Sequence, residues 1–126
     1  MNTMTMTVPA KKEWILAMRM AAASVGAIYN LPVDVLDDLR TAVDESCDLL
    51  LHQDYCIEKL TLSCEEKQDG VYLSIAAVPC CSRQEESRAD KDVARMIIET
   101  LVRQVALTEE GGNVVQVRMV LPRAVK

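Results

Sequence analysis

The stretch from Leu36 to His52, LDDLRTAVDESCDLLLH, places the tightest constraint on how this chain folds. Leu36, Leu39, Val43, Cys47 and Leu50 recur at spacings of three and four, so they share one face of a helix. Asp38, Thr41, Glu45, Asp48 and His52 recur at the same spacings on another face. Such a segment needs a core on one side and is open to water or to chemistry on the other. Pro32 and Asp34 mark its beginning, with Asp34 the expected N-cap.

The remaining elements follow from the same kind of reading. Thr3 to Val8 alternates Thr with Met or Val and reads as a short edge strand stopped by Pro9. Lys11 to about Ile28 reads as a helix with Trp14, Ile15, Met18, Ala21, Ala22 and Val25 as its apolar stripe, broken by Asn30-Leu31-Pro32. Cys56–Glu65 and Val71–Val78 alternate around the turn signal Gln68-Asp69-Gly70, which predicts a β-hairpin. Pro79–Lys91 is charged and without period, and is expected to be a loop. Asp92–Leu107 returns to helical spacing through Val93, Ile97, Leu101 and Val105. After Glu109-Glu110-Gly111-Gly112-Asn113, a last strand runs through Val115, Val117, Met119 and Leu121 to Pro122. Three helices and four strands with one apolar face each predict an α+β fold, a two-layer sandwich of a mostly antiparallel sheet with its helices on one side.

Composition bounds the partners. With 126 residues, half of them apolar, the chain suits one compact domain. It has no Phe and one Trp, so aliphatic side chains and seven Met must fill the core. A net charge of −5 and the lack of aromatic platforms argue against nucleic acid, whose phosphates draw on clustered Lys and Arg. A basic protein surface is the more fitting partner. No apolar run approaches the roughly 20 residues of a membrane span, and MNTMTMTVPAKKEW lacks the apolar segment of a signal peptide. A cytoplasmic location is therefore expected. Five cysteines, with no CxxC and a single His, favour neither a disulfide framework nor a zinc site. Most are expected to be plain thiols, with the adjacent Cys80 and Cys81 the pair exposed to oxidation.

The order of elements and the wording of two helices resemble the anti-sigma-factor serine kinases of the GHKL superfamily, whose ATP-binding domain has the Bergerat, histidine kinase-like fold. That family carries a helix of the type D-I/L-K/R-x-A-V-x-E-A-x-x-N, and Asp38-Leu39-Arg40-Thr41-Ala42-Val43-Asp44-Glu45-Ser46-Cys47 is similar to it. Ile97-Ile98-Glu99-Thr100-Leu101 is similar to the L-M-E-T-L phrase of the family's last helix. The resemblance runs from about Ala10 to Leu121. It implies a single histidine kinase-like ATPase domain over residues 1–126, with Glu45 at the place of the catalytic base.

The departures from the family pattern fall where the chemistry belongs. The magnesium-binding Asn, one turn after the Glu, is replaced by Leu49, which has no oxygen to offer. Asp48 is adjacent but about 100° around the helix. The adenine-binding D-x-G-x-G corresponds to Ala76-Ala77-Val78-Pro79-Cys80-Cys81, and the phosphate-cradling G-x-G to Asp92-Val93-Ala94.

The resemblance therefore implies a degenerate site. It points to a regulatory protein that binds a sigma factor and/or a STAS anti-anti-sigma protein, as a homodimer, with ATP binding weakened or lost. The alternative is an active serine/threonine protein kinase that uses ATP and Mg²⁺ with Glu45 as base. A third reading is a sensor domain whose emptied pocket takes another small molecule. Outside the kinase reading, Glu45 is an exposed acid on a solvated face. His52 is either a proton carrier near Glu45 or, as preferred here, a histidine favoured by the helix C-terminus. Asp34, Asp37, Asp38, Asp44, Glu45 and Asp48 are expected to be a solvated face rather than a cation site. Arg83–Lys91 is a degenerate ATP lid or a plain surface loop.

Overall fold

The computed structural model describes residues 3–53, 56–68, 70–79, 91–101, 104–110 and 113–121, with the backbone alone for 91–95 and 104. The elements run β1 (Thr3–Pro9), a 3-10 turn (Lys12–Trp14), α1 (Ile15–Ile28), α2 (Val33–Leu51), β2 (Ile57–Lys67), β3 (Gly70–Pro79), α3 (Lys91–Leu101), β4 (Gln104–Glu110) and β5 (Asn113–Leu121). Every paired strand is antiparallel, in the order β1-β2-β3-β5-β4. One face of this sheet is covered by the helices, so the fold is the expected α+β two-layer sandwich.

The core lies between the layers. Leu60 and Leu62 of β2, Val71, Leu73 and Ile75 of β3, and Val117 and Met119 of β5 are fully buried beneath α2 and α1. From α2, Leu39, Val43, Cys47 and Leu50 are buried as their spacing predicts, and Ala42, Ser46 and Leu49 join them. The Ser46 hydroxyl is accommodated there by donating to the Ala42 carbonyl at 2.7 Å. The buried face is thus wider than a strict seam. From α1, Met18, Ala22 and Val25 face inward. At Gly26 α1 packs tightly against α2: a Cβ there would stand 2.5 Å from Leu36 Cδ2 and 3.2 Å from Leu39 Cδ2.

The break between α1 and α2 has a definite mechanism. Asn30 takes the left-handed conformation (φ 61°), Leu31 N–H donates to the Gly26 carbonyl at 3.1 Å, and Asn30 N–H to Ala27 at 3.0 Å. This is the Schellman arrangement, and Asn is among the few residues other than Gly that adopt the left-handed state readily.

Several sequence expectations are corrected. Five strands form rather than four, because the third helix ends at Leu101 and Gln104–Glu110 is β4. Val105 suits either period, at four residues from Leu101 or two from Leu107, and pairing with β5 decides it: Val105 stands opposite Met119 and Leu107 opposite Val117. A bulge between Thr108 and Glu109 then pairs Thr108 with Gln116 and Glu109 with Val114. It therefore shifts the alternation, so Val114 is buried while Val115 is not. Among the described side chains of α3, Ile98 is fully buried and Ile97 half-buried. The first helix begins at Ile15 rather than Lys11. Trp14 belongs to the preceding 3-10 turn and is 43% exposed, so it is not core.

Asp34 is not the N-cap of α2. The extended Pro32 holds that position without a side-chain bond, and Asp34 lies in the first turn, where its charge favours the helix dipole instead. Cys47 and Cys64 are buried free thiols, as expected for most of the cysteines, and Cys56 is disulfide-bonded. Cys80, Cys81 and the segment Arg83–Asp90 lie outside the described residues. No described helix is long and apolar enough to cross a membrane.

Candidate functional site

Glu45 stands in the middle of α2 on the side that turns toward the start of α1. There it lines an open cleft of about 500 Å³ together with Lys12 and Glu13 of the 3-10 turn, Leu16 and Arg19 of α1, and Asp44 and Asp48 of α2. Its walls carry two cations and the Glu13 carboxylate on the α1 side and three carboxylates from α2. Arg19 Nη1 and Asp44 Oδ2 close an ion pair at 3.1 Å, with each side chain a little over a third exposed. Pairs so exposed contribute about 0–1 kcal/mol. The other oxygen, Asp44 Oδ1, is buried with no hydrogen-bond partner among the described residues. Arg19 was not singled out from the sequence. The signal for it is that Arg19 is the sole charged residue in Ile15–Ile28, a position that suits pairing with the acidic neighbouring helix.

His52 does not pair with Glu45. It forms the C-cap of α2, with Nδ1 2.8 Å from the Asp48 carbonyl and 3.0 Å from Asp48 Oδ1. Both partners are acceptors, so Nδ1 carries the proton, and the ring closes the helix end as expected for a histidine at that terminus. Of the remaining acids, Asp37 is paired with Arg40 at 2.8 Å and Asp34 is exposed. Among the described residues no group of three or more His, Cys, Asp or Glu is arranged to hold a metal ion.

Burial shapes the thiol chemistry of the same helix. Cys47 is pushed up from 9.0 to about 12, first by burial and then by the charges of Asp44 and Asp48. A thiol so held is a packing group, not a nucleophile. Cys64 is raised as well, by burial and then by Glu66.

The positions that would serve Mg²⁺ and ATP do not fit them. Leu49 is only 2% exposed and is part of the core, so it neither offers an oxygen nor leaves room for one. Residues Ala76 to Pro79 continue β3, with Ala76 opposite Thr61 and Gln116, Ala77 opposite Leu60, Val78 opposite Lys59 and, across a bulge in β2, Pro79 opposite Ile57. A base-binding loop has no backbone turn to start from before Pro79. Asp92, Val93 and Ala94 lie within α3 rather than in a loop ahead of it. No reaction step through a nucleotide is derived from these residues.

No family model matches the chain, and no curated protein matches it. Among solved structures it is similar to the crystal structure of the RsbU and RsbW domains of a protein from Mycobacterium tuberculosis. The TM-score is 0.69 at 12% sequence identity, and the match covers 100% of this chain. The two share a two-layer α/β sandwich. The chain spans 35% of the length of that matched chain, so the likeness concerns one portion of a larger protein. At this identity it bears on the fold alone.

Proposed function

We propose that this protein is a regulatory binding module of the anti-sigma type, which acts by engaging a sigma factor or a STAS anti-anti-sigma protein rather than by phosphoryl transfer. The observation that carries this reading is Leu49. On a fold similar to an RsbW-containing structure, the residue one turn after Glu45 is sealed in the core. The uninterrupted strand through Ala76–Pro79 supports the same reading. Glu45 is then one of the carboxylates of a charged cleft, and the acids of α2 and the net charge of −5 suit a basic patch on a protein partner.

The kinase alternative keeps one specific observation in its favour: Glu45 lines a cleft beside Lys12 and Arg19. A thermal-shift titration separates the two. A ligand at about 100 times its dissociation constant adds ~2.7 kcal/mol of stability. The module reading expects no shift at millimolar Mg-ATP. A clear shift that vanishes without magnesium or in Glu45→Ala would establish the kinase instead. For the partner, the sigma factors and STAS proteins of the native genome are tested pairwise for binding. Binding to none of them overturns the proposal.

A further inference from the structure

The disulfide at Cys56 sits at the open end of the β2–β3 hairpin, one residue before β2 begins. The chain has five cysteines, and Cys47 and Cys64 are free and buried. The partner of Cys56 is therefore Cys80 or Cys81, the two that lie outside the described residues.

The register of the ladder chooses between them. Ile57 stands opposite Pro79, so one further antiparallel step sets position 56 against position 80. Residues directly opposite in an antiparallel pair have Cα atoms about 4.5–5.5 Å apart, which a disulfide spans. The two faces of the sheet give the same answer. Leu60 and Ala77 are an opposed pair on the core side, and the bulge between Ile57 and Lys59 returns Ile57 to that side. By alternation, positions 56 and 80 fall on the other face and position 81 on the core side.

The surroundings make such a bond reversible. Cys56 is half-buried at the end of the ladder and outside the core cluster, and accessible disulfides are the ones that thiol exchange reaches. The fold does not depend on it. From Leu60–Ala77 to Glu66–Val71 the hairpin is paired at every residue, and Leu60, Leu62, Leu73 and Ile75 are fully buried. Nor do the other described thiols compete for oxidation. Burial raises both, Cys47 to about 12, and the reactive species in disulfide chemistry is the thiolate.

The end that this bond closes is a junction. The carbonyl of Glu58, within the bulge, accepts from the Ala10 N–H at 3.1 Å, and Pro9 stands opposite Lys59. A link at position 56 thus acts on the last pairs of β2 and β3 and on the exit of β1.

We propose that Cys56 and Cys80 form a reversible disulfide that closes this end of the sheet when oxidised and releases it when reduced. Closure removes two electrons and two protons from the two thiols, and hydrogen peroxide accepts them and becomes two waters. A dithiol such as dithiothreitol returns them and is itself closed to a cyclic disulfide. The device stands apart from the assignment of a sigma or STAS partner and is tested without one.

After stoichiometric peroxide, peptide mapping without reduction is expected to show Cys56 joined to Cys80, with Cys47 and Cys64 still thiols. The bond at Cys56 is expected to persist in Cys81→Ser and to be lost in Cys80→Ser. On reduction, hydrogen exchange read by mass spectrometry is expected to quicken across 57–60 and 76–79. Exchange across 62–64 and 73–75 is expected to stay the same, with one circular dichroism spectrum for both states. Five alkylatable thiols after oxidation overturn the proposal, as does a bond lost in Cys81→Ser but kept in Cys80→Ser. So does unfolding on reduction, or exchange at 57–60 and 76–79 that is the same in both redox states.

Discussion

Gln53 ties together two elements that the chain keeps 61 residues apart. Its Oε1 accepts from the Val114 N–H and its Nε2 donates to the Val114 carbonyl, both at 2.6 Å, so one side chain imitates a strand at the start of β5. Gln53 is 8% exposed and Val114 is buried, so water does not readily replace either bond. Gln53→Ala is therefore expected to destabilise the protein by about 2 kcal/mol, the order found when buried hydrogen-bond partners are removed. Urea unfolding measures it, and an unchanged midpoint would show that the clamp contributes nothing. Cys47 gives a second prediction at this scale. Its folded-state value of about 12 lies above the ordinary 9.0, so the folded chain holds the thiol proton more tightly than the unfolded one. The stability that follows is present in full below pH 9.0 and is lost as the pH rises toward about 12. Other groups titrate in that range too, so the readout is a difference. The alkaline fall in urea midpoint should be shallower in Cys47→Ala than in the unsubstituted protein, and identical slopes would contradict the assignment.

As an element, α2 serves the fold first. Seven of its residues are buried, among them Leu49, which stands where the family motif that α2 resembles has a metal-binding Asn. Restoring the pattern by Leu49→Asn is expected to cost on the order of 3 kcal/mol, through lost packing and a buried amide, and to bring no stabilisation by Mg-ATP. A variant that is stable and shifts with Mg-ATP would show instead that the helix still holds a latent site. The same element explains what was legible in the sequence. Two periodic faces over seventeen residues leave one helical solution, and Gln68-Asp69-Gly70 between alternating runs leaves one hairpin. The failures have physical causes of their own. Val105 fits two periods, and only a partner strand from Asn113 onward selects between them. Asp34 looks like a cap by composition but lies two residues past the capping position. At the site, Glu45 and the loss at Leu49 were readable by position along α2. The Arg19–Asp44 pair and the Gln53 clamp were not, since each joins residues whose nearness is created by the fold.

At the scale of the whole molecule, the sheet order β1-β2-β3-β5-β4 sets a gradient of protection. β3 is the central strand, bonded to β2 and β5, and its inward residues Val71, Leu73 and Ile75 are fully buried. Amides in β3 and on the buried side of α2 should exchange with solvent only through the largest openings, and those of the outer strands through small ones. β1 and β4 are the outer strands of the sheet, each bonded on one side only, and both should exchange early. Hydrogen exchange read by mass spectrometry across Thr3–Pro9, Gly70–Pro79 and Gln104–Glu110 compares both edges with the centre in one experiment. The expected outcome is slow exchange in β3 and fast exchange in β1 and β4, because opening an edge exposes little of the core while opening β3 exposes its buried Val71, Leu73 and Ile75. An edge strand that exchanges as slowly as β3 would contradict this gradient, and would mean that something other than the sheet order protects it.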